Sequence, residues 1–136
     1  MPLNKRIMIP KPKIGTDICQ INRVKATYKK YGTRFLKRVL TEKEIQYVTS
    51  NKKNLVSRLA GRFAAKEATS KVLGTGLKGV YFKEIEILRE VSGAPKIVLH
   101  KRAKKKAKEK NLTNFDVSIS HEKDFAIAIV VCVKTK

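Results

Sequence analysis

Hydrophobic and polar positions alternate along this chain with two different periods, which predicts a mixture of strands and helices. Five stretches favour strands, because apolar residues recur at every second position or form short β-branched runs. These stretches are residues 13–19, 81–88, 96–99, 116–120 and 125–133. The Ser-Gly-Ala-Pro sequence between the second and third stretches is typical of a turn, and a polar tetrapeptide joins the last two.

Four further stretches predict helices. Residues 20–31 carry apolar side chains three to four positions apart, and Gly32 follows as a stop signal. Residues 100–110 predict a strongly basic helix. Thr41 and Glu44 have the spacing of a capping box, which predicts the start of another, short helix.

The longest predicted helix covers residues 54–73, and Gly74 and Gly76 close it. Helices and strands do not follow one another in a regular βαβ order, which favours an α+β fold. At roughly 150 residues per domain, residues 1–136 are expected to form a single domain.

The last predicted strand is unusual, because residues 125–133 are apolar at every position. Such a run is typical of a strand that is buried on both faces. A helix on one face and other strands on the second would bury it. A second copy of the chain would also bury it and would make the protein a homo-oligomer. The first strand places Ile14, Thr16 and Ile18 on one common face.

A carboxylate interrupts the apolar stripe of the longest helix. Steps of about 100° per residue carry the stripe of Val56, Leu59 and Phe63 onto Glu67 and then Ser70. A carboxylate in that position is costly unless it is ion-paired, hydrogen-bonded or bound to a metal. An ion pair with a basic residue of the same helix and a metal site both satisfy this requirement. The candidate ion-pair partners are Arg62 and Lys66.

Asp17 lies in the apolar first strand and is the first acidic residue of the chain. Two isolated carboxylates from distant elements, Asp17 and Glu67, suit Mg²⁺, which takes one or two protein carboxylates together with waters and substrate phosphates. Cationic residues flank Glu67 on the helix, and the glycine turn at residues 74–76 could approach a phosphate through its backbone. Together these features indicate a pyrophosphate ligand.

The charge of the chain points to an anionic partner. Lys and Arg number 32 against 11 Asp and Glu, a formal net charge of +21. Nucleic acid, a phosphate-rich small molecule, an acidic protein and an anionic membrane would each match this charge. A solvated basic surface would account for many of the lysines without any partner.

The two cysteines and the first residues of the chain limit the cellular compartments that we expect. Cys19 and Cys132 lie in apolar runs without a Cys-x-x-Cys motif, which favours buried thiols in a reducing compartment and excludes a zinc site built on that motif. No apolar stretch reaches the length of a membrane span or of a secretory signal. We expect a cytoplasmic protein, or one of a plastid or other organelle stroma, with residues 1–12 as a flexible basic extension.

Seven short motifs then occur in one order from about residue 13 to residue 133. They are residues 14–18 (IGTDI) with Arg23, 35–41 (FLKRVLT) with Glu44, 60–68 (AGRFAAKEA), 70–76 (SKVLGTG), 84–87 (EIEI), 93–95 (GAP) and 117–121 (VSISH). In these motifs the chain resembles the holo-[acyl carrier protein] synthase family, the small class of 4′-phosphopantetheinyl transferases. The resemblance implies a small antiparallel sheet packed with a long helix, in a homotrimer with sites between subunits.

The resemblance also implies a reaction that supports fatty acid biosynthesis. The enzyme would move the phosphopantetheine arm of coenzyme A onto a serine of apo-acyl carrier protein and release adenosine 3′,5′-bisphosphate. Asp17 and Glu67 match the family's ligands of Mg²⁺ on the pyrophosphate, and Lys71 joins them as a catalytic residue. One of the two carboxylates, directly or through a metal-bound water, would help to deprotonate the serine.

Binding residues are implied in the same way. The contacts to coenzyme A would be Arg62, Lys66, Ser70, Lys71, Gly74, Gly76, Pro95 and His121. The acidic carrier protein would dock on basic residues after the first strand, and these are Arg23, Arg34, Lys37 and Arg38. Residues 101–110 depart from the family in their density of lysine, and we interpret them as a solvated helix.

Nucleic-acid binding is the competing interpretation of a chain whose isoelectric point is about 10.3. It would use the lysines of residues 101–110, but it explains neither Asp17 nor Glu67. The chain also lacks the aromatic motif of the common RNA-binding sheets. We therefore expect neither a nucleic acid nor a membrane as partner.

Overall fold

A computed structural model describes residues 10–74 and 82–135. Helices and strands are mixed along the chain, as the sequence predicts. The elements are β1 (Lys11–Gln20), α1 (Ile21–Tyr31), α2 (Thr33–Val39), α3 (Glu42–Thr49), α4 (Leu55–Leu73), β2 (Ile85–Arg89), β3 (Pro95–Leu99), α5 (Lys101–Glu109), β4 (Leu112–His121) and β5 (Phe125–Lys134). None of the helices in the described part of the chain is long and apolar enough to cross a membrane.

The strands form two antiparallel sheets. β5 lies in the centre of a three-stranded sheet of order β1-β5-β4, and β2 pairs with β3 in a separate ribbon. Helix α4 packs across the three-stranded sheet, where its alanines are fully buried. Gly15 of β1 allows this close approach, because a side chain there would collide with the carbonyl oxygen of Ala68. The predicted α+β class, with a small antiparallel sheet and a long helix, is confirmed.

One face of the central strand is exposed in the single chain, so the alternative in which elements of the same chain bury both faces of residues 125–133 is wrong. Residues 126, 128, 130 and 132 point towards α4 and are buried. Ile127, Ile129 and Val131 are 37%, 46% and 39% exposed on the opposite face. Ile14 and Ile18 of β1 extend this face at 64% and 61% exposure. A single chain therefore presents an apolar sheet surface to solvent.

Several boundaries differ from the sequence prediction. β1 begins at Lys11, so residues 11 and 12 of the predicted extension belong to the sheet. Within the predicted strand at residues 81–88, Phe82–Glu84 is a 3₁₀ turn and pairing begins only at Ile85. β4 begins earlier than predicted, at Leu112, and a bulge interrupts its pairing with β5. Helix α2 was not predicted as an element of its own.

The predicted capping box is confirmed, and it opens a network of buried carboxylates. The Thr41 hydroxyl accepts from the Glu44 N–H at 3.3 Å, and a Glu44 oxygen accepts from the Thr41 N–H at 2.8 Å. The same carboxylate accepts from Lys66 Nζ at 2.8 Å and from the Ile87 N–H at 2.7 Å. Glu44 thereby ties α3, α4 and β2 together.

Glu84 and Glu86 anchor the ribbon to its neighbours. Glu84 accepts from the guanidinium group of Arg102 at 2.9 Å and from backbone N–H groups at the start of α5. Glu86 accepts from the Thr41 hydroxyl at 2.6 Å and lies 3.0 Å from His100 Nε2. Burial acts to raise the pKa of each carboxyl group, but these hydrogen bonds outweigh it and hold both pKa values below the usual 4.5.

The lowered pKa values predict that the protein loses stability in acid. A carboxyl group whose pKa is lower in the folded state stabilises the fold fully above its unfolded pKa, and this stabilisation is lost as the pH falls below about 4.5. Urea unfolding at pH 7 and pH 3.5 measures the loss. In Glu84→Gln, we expect a smaller difference between the free energies of unfolding at pH 7 and pH 3.5 than in the wild type. An unchanged difference would show that Glu84 does not contribute.

Candidate active site

The two candidate carboxylates come together, although 50 positions separate them in the sequence. Asp17 projects from β1 on the face towards α4, and Glu67 lies on the side of α4 that faces β1. Both line an open pocket of about 440 Å³, which Arg23, Phe63 and Cys19 also border. The alternation of β1 and the helical period of α4 produce this meeting, because each side chain shares a face with buried neighbours.

Lys71 provides a positive charge next to this pair and is bonded to Asp17. Its Nζ donates to the Thr16 carbonyl at 2.9 Å and to Asp17 Oδ1 at 3.2 Å, while about half of the side chain remains exposed. The Asp17 side chain is 18% exposed. Lys71 can therefore hold the Asp17 carboxylate in place and still reach a ligand from the solvent side.

Burial and a neighbouring carboxylate both disfavour the ionised form of Glu67. Burial raises the pKa of its carboxyl group, the neighbouring Asp17 raises it further, and Lys71 opposes both effects. The predicted ion pair with Arg62 or Lys66 is wrong, since both of those side chains bind elsewhere. Two adjacent carboxylates supply the oxygen ligands that a divalent cation prefers.

The donor set suits Mg²⁺ rather than a metal that needs a closed cage of side chains. Within residues 10–74 and 82–135, no group of three His, Cys, Asp or Glu side chains could surround an ion. Mg²⁺ keeps several waters and binds through one or two carboxylates and substrate phosphates. Asp17 and Glu67 fit that requirement, with a phosphate ligand and water as the remaining donors.

Lys66 does not lie where the predicted coenzyme contact requires it. Its side chain is fully buried, and Nζ donates to Glu44 and to the backbone carbonyls of Phe82 and Ile85. All three donors of the ammonium group are thus used inside the chain. Because a phosphate could reach Nζ only by breaking this network, we correct the assignment of Lys66 from a ligand contact to a structural residue.

Other predicted contacts take up different positions on α4. The hydroxyl of Ser70 donates to the Glu67 carbonyl at 2.7 Å, and the side chain is fully buried and does not line the pocket of the carboxylate pair. Gly74 ends the helix in the left-handed conformation, with φ of 79°. Gly76 lies outside the described residues. Arg62 is buried, and its guanidinium group stacks on Tyr47.

His121 and the carboxylate pair lie on different sides of α4. His121 Nε2 is 2.9 Å from the Ser57 carbonyl, and the ring packs against Gly61, where a Cβ atom would come within 2.8 Å of it. Gly61 precedes Glu67 by six residues, which is about 9 Å along the helix axis and about 120° around it. Pro95 begins β3 in the separate ribbon. Neither His121 nor Pro95 lines the pocket of Asp17 and Glu67.

A second groove continues from the carboxylate pocket. It has a volume of about 840 Å³ and shares Thr27, Phe35 and Phe63 with the first pocket. Its rim carries three of the predicted docking residues, Arg34, Lys37 and Arg38, while Arg23 borders the first pocket. The aromatic floor was not predicted as part of a site. The sequence signal for it is Phe35, an aromatic residue in the basic stretch that forms α2. The structure leaves this side chain partly exposed.

Comparison with known proteins identifies the family of this chain. A model of the 4′-phosphopantetheinyl transferase superfamily matches residues 13–130. The holo-[acyl-carrier-protein] synthase of Halothermothrix orenii is 46% identical over 118 residues, which is 87% of this chain and 94% of that protein.

Two crystal structures have the same fold. The holo-[acyl-carrier-protein] synthase of Neisseria meningitidis superposes with a TM-score of 0.81 at 37% identity, covering 88% of this chain and 96% of that one. The Helicobacter pylori enzyme in complex with coenzyme A gives a TM-score of 0.76 at 39% identity, covering 88% and 98%. The motifs, the fold and the paired carboxylates lead to one conclusion: this chain belongs to the 4′-phosphopantetheinyl transferase superfamily.

Proposed function

We propose that this enzyme transfers the 4′-phosphopantetheine group of coenzyme A to a serine of apo-acyl carrier protein. The observation that carries the proposal is the pocket lined by Asp17 and Glu67, with the exposed Lys71 bonded to Asp17. The pocket opens into a groove with a basic rim. Relatives that cover most of the chain are holo-[acyl-carrier-protein] synthases, and one of their structures holds coenzyme A. Transfer of this group would support fatty acid biosynthesis in the cytoplasm or an organelle stroma.

Asp17 and Glu67 would hold Mg²⁺ against the pyrophosphate of coenzyme A. When bound, the metal would neutralise the charge that develops as the phosphoanhydride breaks. Lys71 stays bonded to Asp17 and offers its exposed ammonium group to a phosphate oxygen. The serine proton would pass to one of the two carboxylates, directly or through water. The leaving group is adenosine 3′,5′-bisphosphate.

The predicted coenzyme contacts would come together only between two chains. Within one chain, α4 separates His121 from Glu67, and Pro95 lies in another sheet. The exposed apolar face of β1 and β5 offers the surface on which copies could pack. We therefore propose a homotrimer in which Asp17 and Glu67 of one chain face His121 and Pro95 of a neighbour.

The trimer predicts a mass near three times 15.4 kDa in sedimentation. Ile129→Lys should shift the protein towards monomer, because Ile129 is 46% exposed on the central strand of the apolar face and a charge there opposes burial. Val91→Lys is the matched control, because Val91 is an exposed apolar residue in the turn between β2 and β3 and lies outside the sheet of β1, β5 and β4. A wild-type monomer at micromolar concentration would contradict the trimer and place the whole site within one chain.

The basic rim of the groove is proposed to bind the acidic carrier protein. Arg38→Glu should raise the KM for the carrier about tenfold and weaken its dependence on salt, because opposite charges steer encounter and fix register. The KM for coenzyme A should stay nearly unchanged.

The lysines of α5 provide the matched comparison for this surface. Replacing Lys104, Lys105 and Lys106 together by glutamine should change the carrier KM less than twofold, since charges more than about 8–10 Å from a partner are screened at physiological salt. Titrating both variants at low and physiological salt measures the difference. An equal effect of the two variants would mean that α5 belongs to the docking surface.

The proposed reaction is tested by its small product. With coenzyme A, Mg²⁺ and apo-acyl carrier protein, chromatography should detect adenosine 3′,5′-bisphosphate in an amount equal to the carrier consumed. Hydrolysis of coenzyme A without carrier would release the same nucleotide, so a reaction without carrier is the control. Nucleotide release that does not depend on the carrier would contradict group transfer.

A further inference from the structure

Helix α5 carries a dense stripe of lysines on its outer face. Steps of about 100° per residue place four exposed side chains within an arc of about 100°, and these are Lys101, Lys104, Lys105 and Lys108. Ala103 and Ala107 lie on the opposite face of the helix and are buried. At a rise of about 1.5 Å per residue, the stripe is about 10 Å long. The buried alanines hold α5 on the fold, so the lysine stripe faces solvent.

The lysine stripe carries charges that the described residues do not balance. Within the part of the chain that the structure describes, none of the four lysines takes part in an ion pair, and neither does Glu109, the one acidic residue of α5. Lys101 and Lys105 are one turn apart, as are Lys104 and Lys108, and like charges at that spacing destabilise a helix. Anionic groups bound along the stripe would relieve this repulsion.

The beginning of α5 adds to the positive potential of the stripe. No acidic residue lies in the first turn, whose backbone N–H groups form the positive end of the helix dipole. Glu84 accepts from the N–H groups of Arg102 and Ala103 and also from the guanidinium group of Arg102. The only arginine of α5 is therefore bonded within the chain, and lysines alone are left to contact a partner along the stripe.

Helix α5 lies apart from the site that we propose for the transferase reaction. Neither the carboxylate pocket nor the groove beside it is lined by a residue of α5. The helix instead packs against α4, β4 and the 3₁₀ turn before β2. Nucleic-acid binding was disfavoured because it explains neither Asp17 nor Glu67, but that reason concerns the carboxylate pocket alone. A second anionic partner can therefore bind α5 in the same chain.

The composition of the stripe distinguishes between the candidate anionic partners. A helix that binds a membrane surface inserts large apolar side chains, whereas the apolar residues of α5 are two buried alanines. Interfaces between proteins are enriched in aromatic residues and arginine and depleted in lysine. A nucleic-acid backbone needs only positive charges that neutralise its phosphates, which lysine supplies. The stripe therefore favours a nucleic acid.

The length of the stripe also suits this partner. A duplex carries one negative charge per about 1.7 Å of its axis, so a stripe of about 10 Å faces about six phosphates. Four lysines can then each contact a different phosphate. Base sequence is read mainly by arginine, asparagine and glutamine in the grooves, and the stripe contains none of these residues. Contacts from lysine alone would hold the backbone without reading the bases.

We propose that Lys101, Lys104, Lys105 and Lys108 form a surface that binds the phosphate backbone of a nucleic acid, independently of base sequence. This partner is distinct from both coenzyme A and the carrier protein. Release of counterions from the phosphates drives the binding, so the affinity falls steeply as the salt concentration rises. The surface does not depend on the transferase reaction, and the two activities are tested separately.

Titration of a short fluorescent DNA duplex with the full chain, followed by anisotropy at several salt concentrations, tests this surface. Replacing Lys104, Lys105 and Lys108 together by glutamine should weaken binding at least about tenfold at low salt. It should also lower the slope of log K against log salt by up to about 2.7, because each phosphate contact contributes about 0.9. A second duplex of unrelated sequence should bind the wild type equally well. A strong preference for one sequence would overturn the proposal.

Three exposed lysines elsewhere provide a matched control. Replacing Lys25 of α1 together with Lys52 and Lys53, which precede α4, removes the same net charge when glutamine takes their place. This control variant should bind the duplex less than twofold more weakly than the wild type. An equal loss in the two triple variants would show that net charge alone attracts the duplex, which would overturn the proposal and leave α5 as a solvated helix.

Vesicles of phosphatidylcholine and phosphatidylserine test the membrane as the alternative partner. Binding to these vesicles should depend on the α5 lysines no more than on the control lysines. A larger loss of the α5 variant with vesicles than with the duplex would assign the stripe to a membrane and overturn the proposal. Urea unfolding of the α5 variant should show a midpoint at or above that of the wild type, because like charges have been removed from the helix. A loss of duplex binding then reports on the lysines themselves.

Discussion

Replacing Glu67 by alanine is expected to lower kcat/KM at least about 100-fold while the protein remains folded. The loss follows because the variant keeps only one of the two carboxylates that would hold Mg²⁺ at the pyrophosphate. The fold survives because Glu67 lies beside Asp17 with its pKa raised by burial, so its removal relieves repulsion. Steady-state kinetics at saturating carrier, together with urea unfolding, measures both effects.

The matched control is Glu109→Ala, which removes an exposed carboxylate from the end of α5. It should leave kcat/KM within about twofold of the wild type, since an exposed charge far from the pocket contributes little. Near-wild-type activity of Glu67→Ala would contradict the metal assignment. So would unfolding of that variant, which would show that Glu67 has a structural role instead.

The largest expected effect on stability comes from the buried pair of Lys66 and Glu44. Both side chains are fully buried with a Nζ to Oε1 distance of 2.8 Å. Lys66→Met should lower the free energy of unfolding by about 3–5 kcal/mol, because it leaves a carboxylate buried without its cation. Burial lowers the pKa of Lys66, and Glu44 opposes that effect, so the two charges depend on each other. Urea unfolding at pH 7 measures the loss.

The double variant with Glu44→Gln and Lys66→Met shows whether the charge itself causes the loss. It should recover part of the stability, since no unpaired charge remains in the interior. If Lys66→Met is only partly folded, its measured dissociation constant for coenzyme A, multiplied by the folded fraction, should equal that of the wild type. A loss below about 1 kcal/mol, with a higher KM for coenzyme A, would instead return Lys66 to the ligand contacts.

The sequence was sufficient to predict four of the five helices that the structure describes, and α2 is the exception. Gly32 ends α1, Gly74 ends α4, and the capping box of Thr41 and Glu44 opens α3 as predicted. Local signals of this kind act over three or four residues and need no tertiary context. The pairing of Asp17 with Glu67 was also predictable, because each carboxylate interrupts an apolar pattern that must face the core.

The partners of charged residues could not be predicted in the same way. Lys66 and Glu67 are adjacent in sequence but lie about 100° apart around α4. Lys66 therefore points towards Glu44 and β2, while Glu67 points towards β1. The packing of α4 between a sheet and a ribbon decides which partner each side chain meets. The same packing brings Arg62 onto Tyr47, a contact for which the sequence gives no signal.

The burial of β5 shows a further limit of sequence patterns. An uninterrupted apolar run predicts that both faces are covered, yet a single chain covers only the face towards α4. Ile127 and Ile129 remain exposed because none of the described elements packs on the other face. The pattern is consistent with the proposed assembly of copies, which a single chain cannot display.

The intact mass of apo-acyl carrier protein after incubation with this enzyme, coenzyme A and Mg²⁺ tests the central claim most directly. We expect the carrier to gain the mass of one phosphopantetheine group, and a carrier whose acceptor serine is replaced by alanine to gain none. Glu67→Ala should give little product in the same time. A carrier that keeps its original mass with the wild-type enzyme would contradict the account.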